Sequence, residues 1–171
     1  MPEAAAGSDL FGIYEGRVDL NSGRLTLSSD FESLKFSKVR VGIEPRRRYL
    51  QLRPLSTFEE MQERIRRKAD TLGPEDGLFL RTLYLGSFGL TQVDTSYRVV
   101  LPKKARDLLK GSPDVVIVGV GDELQIWPLA AWERSQEEAQ KRLQETYEQY
   151  ATEIYRCAPA GEAQAVSGPV G

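Results

Sequence analysis

Two arginines, Arg24 and Arg98, stand just past hairpin-turn signals and lie 74 residues apart. An arginine side chain carries five N–H donors in a rigid fork, suited to a phosphate or to a guanine edge in a DNA groove. Further cations sit where short helices are predicted: Lys35 in the first half, and Lys103, Lys104 and Arg106 just after Pro102. Amines near a helix N-terminus attract phosphate, and Arg17 belongs to the same category. A plainer reading applies to each. Asp94 stands four residues before Arg98 across its turn and can neutralise it, while helix-borne lysines are commonly just solvated. Arg24 has Leu20, not an acid, at that spacing, so it is expected to be the freer of the two.

Other chemistries are excluded or unsupported. With no His and the single cysteine Cys157, zinc sites and His-based acid–base catalysis are ruled out. No metal and no cofactor is expected. Gly119-Val120-Gly121 lacks the third glycine and the strand-to-helix setting of a dinucleotide fingerprint. The carboxylates are not clustered, and no nucleophile motif occurs, so no enzyme is expected. No apolar run approaches the roughly 18 residues that span a bilayer. Met1–Ala6 has no basic or apolar signal-peptide character, and the lone cysteine fits a cytoplasmic protein.

The formal net charge of −2 does not by itself suggest a polyanion partner. The distribution does. Residues 14–57 carry nine Lys/Arg against five Asp/Glu, whereas residues 133–171 carry four against seven. Local fields, not the total, steer association.

The elements that must position these groups come in two copies. Leu50-Gln51-Leu52-Arg53-Pro54-Leu55 returns, 74 residues on and without a gap, as Leu124-Gln125-Ile126-Trp127-Pro128-Leu129. The same offset sets Val41 and Ile43 on Val115 and Ile117. Each copy reads as strand, turn, strand, short helix, strand, turn, strand. Ser29 with Glu32, and Ser56 with Glu59, read as capping boxes. A helix carrying Phe58, Met61, Ile65 and Ala69 follows the first copy; Gly73-Pro74 stops it and starts another. Arg64, Arg66, Arg67 and Lys68 read as a salt-bridged helix surface with Glu59, Glu60 and Glu63. Arg46-Arg47-Arg48 occupies a turn in the first copy. A long helix follows the second copy. The expected organisation is 11–57 first repeat, 58–86 helical pair, 87–132 second repeat, 133–156 C-terminal helix and 157–171 disordered tail, after a disordered leader over 1–9. A single copy is too short to bury a sufficient core, so the two should pack as a pseudo-twofold unit with both Arg-bearing hairpins side by side.

This unit resembles the swapped-hairpin domain of the AbrB and SpoVT transcription factors. Two in tandem, with a helical pair between them, resemble the MraZ family. The local matches are Leu83–Ser87, Val93–Pro102, Val116–Gly119, Leu124–Trp127 and Tyr49–Glu60. The family's signature is Asp-x-x-x-Arg in each repeat, with Gly before the Arg and Pro after an apolar-x-apolar run. The second copy has Asp94, Arg98 and Pro102 but Tyr97 in place of Gly. The first has Gly23 and Arg24 but Leu20 in place of Asp and Ser28 in place of Pro; Asp19 sits one residue early, where strand alternation would aim it at the opposite face. The resemblance implies an α+β fold of two tandem β–β–α–β–β repeats in a pseudo-twofold barrel with peripheral helices. It implies a sequence-specific regulator binding double-stranded DNA as a ring-shaped homo-oligomer at the nucleoid, with no membrane and no small-molecule substrate. The alternative is a ring-forming scaffold or partner-binding protein without DNA contacts.

Overall fold

The structure, a computed structural model, describes residues 9–156. The tail expected over 157–171, with Cys157, and all of the leader but Asp9 lie outside the described residues. Two compact units are present, one ending at Trp132 and the other beginning at Glu133.

The first unit runs β1 (Leu10–Arg17), β2 (Arg24–Thr26), a 3-10 turn (Glu32–Leu34), β3 (Lys38–Ile43), β4 (Leu50–Pro54), α1 (Leu55–Asp70) and α2 (Pro74–Leu85). Then come β5 (Gly89–Gln92), β6 (Arg98–Val100), α3 (Lys103–Arg106) with a second 3-10 turn (Asp107–Leu109), β7 (Asp114–Gly121) and β8 (Leu124–Pro128). The helix α4 (Leu129–Tyr155) starts here and supplies the second unit. Neither expected capping box forms. α1 begins directly off β4 with Pro54 at its N-cap, and the Ser29–Glu32 segment makes only a 3-10 turn with Phe31 at its N-cap.

The halves are interlocked. Six strands form one antiparallel sheet in the order β1-β7-β8-β4-β3-β5, and β2 pairs with β6 in a separate two-stranded ribbon. β1 of the first half therefore pairs with β7 of the second, and β5 of the second with β3 of the first. The expected barrel does not close: β1 and β5 remain as edges of an open sheet. The ribbon leaves that sheet because β2 is joined to its own hairpin partner only through the Val18–Leu25 bridge.

Two pairings lie on the pseudo-twofold. Gln51 faces Gln125 in the sheet, and Leu25 faces Val99 in the ribbon, each pair related by the 74-residue offset. Elsewhere the offset slides, so the repeat is not gapless. Val18 and Val93 accept symmetry-related roles, donating to Pro113 O and Ser37 O respectively, which makes the offset 75 before the first turn and 76 at β3 and β7. The Val41–Val115 match is thus replaced by Val41 with Ile117. The β3–β4 turn, closed by Ile43 and Leu50, is two residues longer than the β7–β8 turn, closed by Gly119 and Leu124, and this restores 74.

One core serves both halves. Val18, Leu25, Leu27 and Leu34 meet their counterparts Val93, Val99, Leu101 and Leu109, all nearly inaccessible to solvent. Gly119 is required by the β1–β7 pairing, since a Cβ there would lie 2.6 Å from the Leu10 carbonyl oxygen. Trp127 packs at a tilt on Tyr49 and edge-on against Trp132, which docks the first turn of α4 on the sheet. In the second unit Leu143, Tyr147, Tyr150 and Ile154 are exposed along α4.

Leu25→Ala should lower the unfolding free energy by about 2–5 kcal/mol, because it empties a fully buried site on the axis. Urea unfolding followed by circular dichroism and by tryptophan fluorescence should shift together. A fluorescence transition left at the parent midpoint would show that the halves fold separately.

Candidate nucleic-acid interface

The ribbon places both candidate arginines on one face. In each strand the middle residue, Leu25 or Val99, is buried, and the flanking residues are exposed. Arg24 lies opposite Val100, and Arg98 opposite Thr26, so Arg24, Thr26, Arg98 and Val100 share the outer surface. The two arginines are diagonal neighbours, with backbones about 7–8 Å apart. Backbone bonds from Leu27 N to Tyr97 O and from Leu101 N to Gly23 O extend the exchange on both sides, at 2.8 Å each.

Each turn is stiffened by a carboxylate. Asp94 accepts from Ser96 N at 2.8 Å and Arg98 N at 2.9 Å. Its other oxygen takes Arg98 Nε at 2.8 Å. Hydrogen bonding from the Arg98 backbone holds this carboxyl below its ordinary range, helped by Ser96 and the guanidinium. In the first turn the carboxylate is Asp19, accepting from Asn21 N at 2.9 Å and Ser22 N at 3.3 Å. These backbone donors, Ser22 first, lower the Asp19 carboxyl as well. The expectation that Leu20 takes the acid's position is therefore overturned. The first turn has one extra residue, so Asp19 N bonds Arg24 O just as Asp94 N bonds Arg98 O, both at 2.9 Å. Counting fixed spacing hid this; allowing a one-residue insertion would have revealed it. Despite Asp19, Arg24 makes no ion pair among the described residues, whereas Arg98 is held by Asp94.

The flanking cations divide. Arg106 turns onto the first hairpin and donates to Leu101 O at 3.1 Å and to Asn21 O at 3.3 Å. It is a brace for the turn, and nothing in the sequence signals it. Gly23 has φ +76°, and a Cβ there would collide with the Arg106 guanidinium. At the equivalent position Tyr97 holds φ +60°, with its ring packed at the core edge and the Lys35 ammonium 6.0 Å from its centroid. Tyrosine fits because no arginine braces this second turn among the described residues; by the offset that sets Leu34 on Leu109, the counterpart of Arg106 is Phe31. Arg17 pairs with Asp114 at 3.7 Å, with both groups well exposed. Lys103 and Lys104 are exposed on α3 and make no ion pair among the described residues. Pro102 is the N-cap of that helix. Arg48 is absorbed structurally, gripping the buried Glu44 at 3.1 Å and lying over Tyr49 and Trp127.

Comparison with known proteins decides the family. The sequence pattern described as "MraZ protein, putative antitoxin-like" matches residues 89–156. A Marinomonas protein named transcriptional regulator MraZ is 31% identical over 131 residues, covering 74% of this chain and 85% of its own. The chain belongs to the MraZ family. A relative of the same name from Mycolicibacterium gilvum is 32% identical over 127 residues, covering 74% of this chain and 86% of its own. One from Mycobacterium tuberculosis is 31% identical over 126 residues, at 74% and 85% coverage. In MraZ terms the second signature, Asp94 to Pro102, lies inside the matched segment, while the first, with its lengthened turn, lies before it. No described helix is long and apolar enough to cross a membrane, and no described cluster of His, Cys, Asp or Glu could hold a metal ion.

Two measurements check this geometry. Gly23→Ala should destabilise the fold by about 1–3 kcal/mol through the left-handed backbone and the Arg106 collision. In an Arg106→Ala background that cost should shrink; an unchanged cost would place the strain elsewhere. The turn carboxylates also set an acid limit. Their folded pKa values are depressed, so their contribution is present above the ordinary carboxylate pKa, about 4, and is lost as pH falls through the lowered values. The stability gap between the parent and Asp19→Ala/Asp94→Ala should therefore be full at pH 6 and close progressively below about pH 4.

Proposed function

We propose that this MraZ-family chain regulates transcription by gripping double-stranded DNA with the β2–β6 ribbon. The observation that carries the reading is the placement of Arg24 and Arg98 on the same exposed face of one two-stranded ribbon. A ribbon of this kind fits the major groove, where arginine reads guanine O6 and N7. Lys35, Lys103 and Lys104 flank it as phosphate contacts, and Arg17 does so after yielding Asp114. The interlocked halves are two AbrB-type swapped-hairpin units. By family resemblance the regulated genes are a division and cell-wall cluster, and the protein acts at the nucleoid in the cytoplasm, more as repressor than activator.

A chain of net charge −2 makes few phosphate contacts, so a single ribbon binds weakly. Assembly into a ring compensates, because linked sites gain avidity without any new contact. Surfaces available for contacts between copies are the open edge β1, with Phe11 and Ile13 exposed, the opposite edge β5 with Leu90, and the apolar stripe of α4.

A second reading, a ring-forming scaffold that binds protein partners, is favoured by one observation. Asp94 holds Arg98 at 2.8 Å, leaving Arg24 as the one ribbon arginine without an ion pair among the described residues.

Titration of DNA upstream of the gene itself, against a scrambled duplex at two salt concentrations, separates the readings. Arg24→Ala should weaken specific binding by about ten- to a hundredfold per site, and Arg98→Ala by less. Equal affinity of the parent for both duplexes, or an Arg24→Ala variant that binds like the parent, would transfer support to the scaffold. Sedimentation showing only monomer at micromolar concentration would remove the ring.

A further inference from the structure

The two faces of α1 treat their cations differently. On one face Arg66 and Arg67 hold Glu63 at 2.7 Å and 3.0 Å, and Arg66 also holds Asp70 at 2.7 Å. On the other, Arg64 and Lys68 form no ion pair or hydrogen bond among the described residues. With Met61 and Ile65 they make a stripe spaced 3, 1 and 3 residues apart, one side of a helix. That stripe lines a cavity of about 370 Å³ between α1, α2 and β4. Leu80 and Tyr84 of α2 supply its opposite apolar wall.

A third cation, Arg53, lines the same cavity, and among the described residues no carboxylate does. The Arg53 side chain is only 9% exposed. Its terminal nitrogens face Asp122 at 3.5 Å and Glu123 at 3.2 Å, from the β7–β8 turn. Its Nε is buried and has no hydrogen-bond partner among the described residues. Buried donors without an acceptor are rare in folded proteins. Burial pushes the Glu123 carboxyl above its ordinary range, against the pull of Arg53. Asp122 and Glu123 are thus engaged by Arg53, and neither lines the cavity.

We propose that this cavity binds a small amphiphilic anion. A carboxylate or phosphate head is held by Arg64 and Lys68, and the apolar body lies against Met61, Ile65, Leu80 and Tyr84. The volume falls at the lower end of the roughly 300–1,000 Å³ of small-molecule sites, which fits one short chain or one ring. Two cations without acids oppose use of this surface as a contact core between copies, where lysine is depleted. The site is independent of the ribbon and of the reading given to it.

Calorimetric titration of the full chain with decanoate tests this, with inorganic phosphate as a head without a body and decanol as a body without a head. Decanoate should bind saturably, and neither control should do so at the same concentrations. Arg64→Gln/Lys68→Gln should weaken decanoate binding by at least about tenfold. Arg66→Gln/Arg67→Gln, the same charge change on the other face of α1, should leave it unchanged. Absence of saturable decanoate binding, phosphate binding as tightly as decanoate, or equal losses in both double variants would each overturn the proposal. So would a change of sedimentation in Arg64→Gln/Lys68→Gln, which would assign the surface to a neighbouring copy.

Discussion

The contact of Leu25 with Val99, on the axis relating the two halves, governs what surrounds it. Both side chains are sealed from solvent, so the strands that carry them must pair with each other, Arg24–Thr26 against Arg98–Val100. Strand alternation then forces the neighbouring arginines outward together. Once β2 and β6 exchange partners, β1 and β5 must also complete their hydrogen bonding on the opposite half, because backbone N–H and C=O groups near the core cannot be left unpaired. The interlocked sheet order follows from that one exchange. So does the open edge: with β2 and β6 diverted into the ribbon, nothing remains to bridge β1 to β5.

The symmetry is broken where charge is handled, and the breaks are local. Both turns use a carboxylate to collect backbone N–H groups, Asp19 in one and Asp94 in the other. Only Asp94 also reaches its arginine. The first turn instead receives Arg106 from the other half, which fills the space over Gly23. The second has Tyr97 and Lys35 in the corresponding place. Two turns of similar backbone thus present different surfaces: a guanidinium with no ion pair among the described residues beside a braced glycine turn, and one paired with Asp94 beside an aromatic ring. A binding partner meeting this ribbon meets an asymmetric object, although the scaffold beneath is nearly twofold.

Membership of the MraZ family rests on relatives that span most of their own length on this chain. The α1–α2 pair inserted between the halves adds a region with its own chemistry. It interrupts neither the sheet nor the ribbon, since β4 leads into α1 and α2 leads into β5 at the sheet's far side. Its cations are sorted by helical phase: acids and arginines cancel on one face, and uncancelled cations line the cavity on the other.

The sequence by itself determined most of the strands and the long helices, the existence of the duplication and the family. Apolar alternation at Val39–Ile43, the unbroken apolar run Val115–Val118, and the helical spacing of Phe58, Met61, Ile65 and Ala69 are local signals of burial that survive in one dimension. The shared Gln51 and Gln125 positions likewise follow from the 74-residue echo. Tertiary structure alone decided which strand pairs with which, because both halves carry the same pattern and either could supply the partner. It also decided the acid of the first turn. Asp19 looked one residue out of place, yet turns absorb an insertion that strands do not, since register is fixed only where side chains are buried. Arg106 shows the same limit most plainly: a cation on a helix 85 residues from Asn21 becomes a brace for its turn only because the halves exchange strands. Long-range partners of a polar side chain leave no local pattern, whereas burial of an apolar one does.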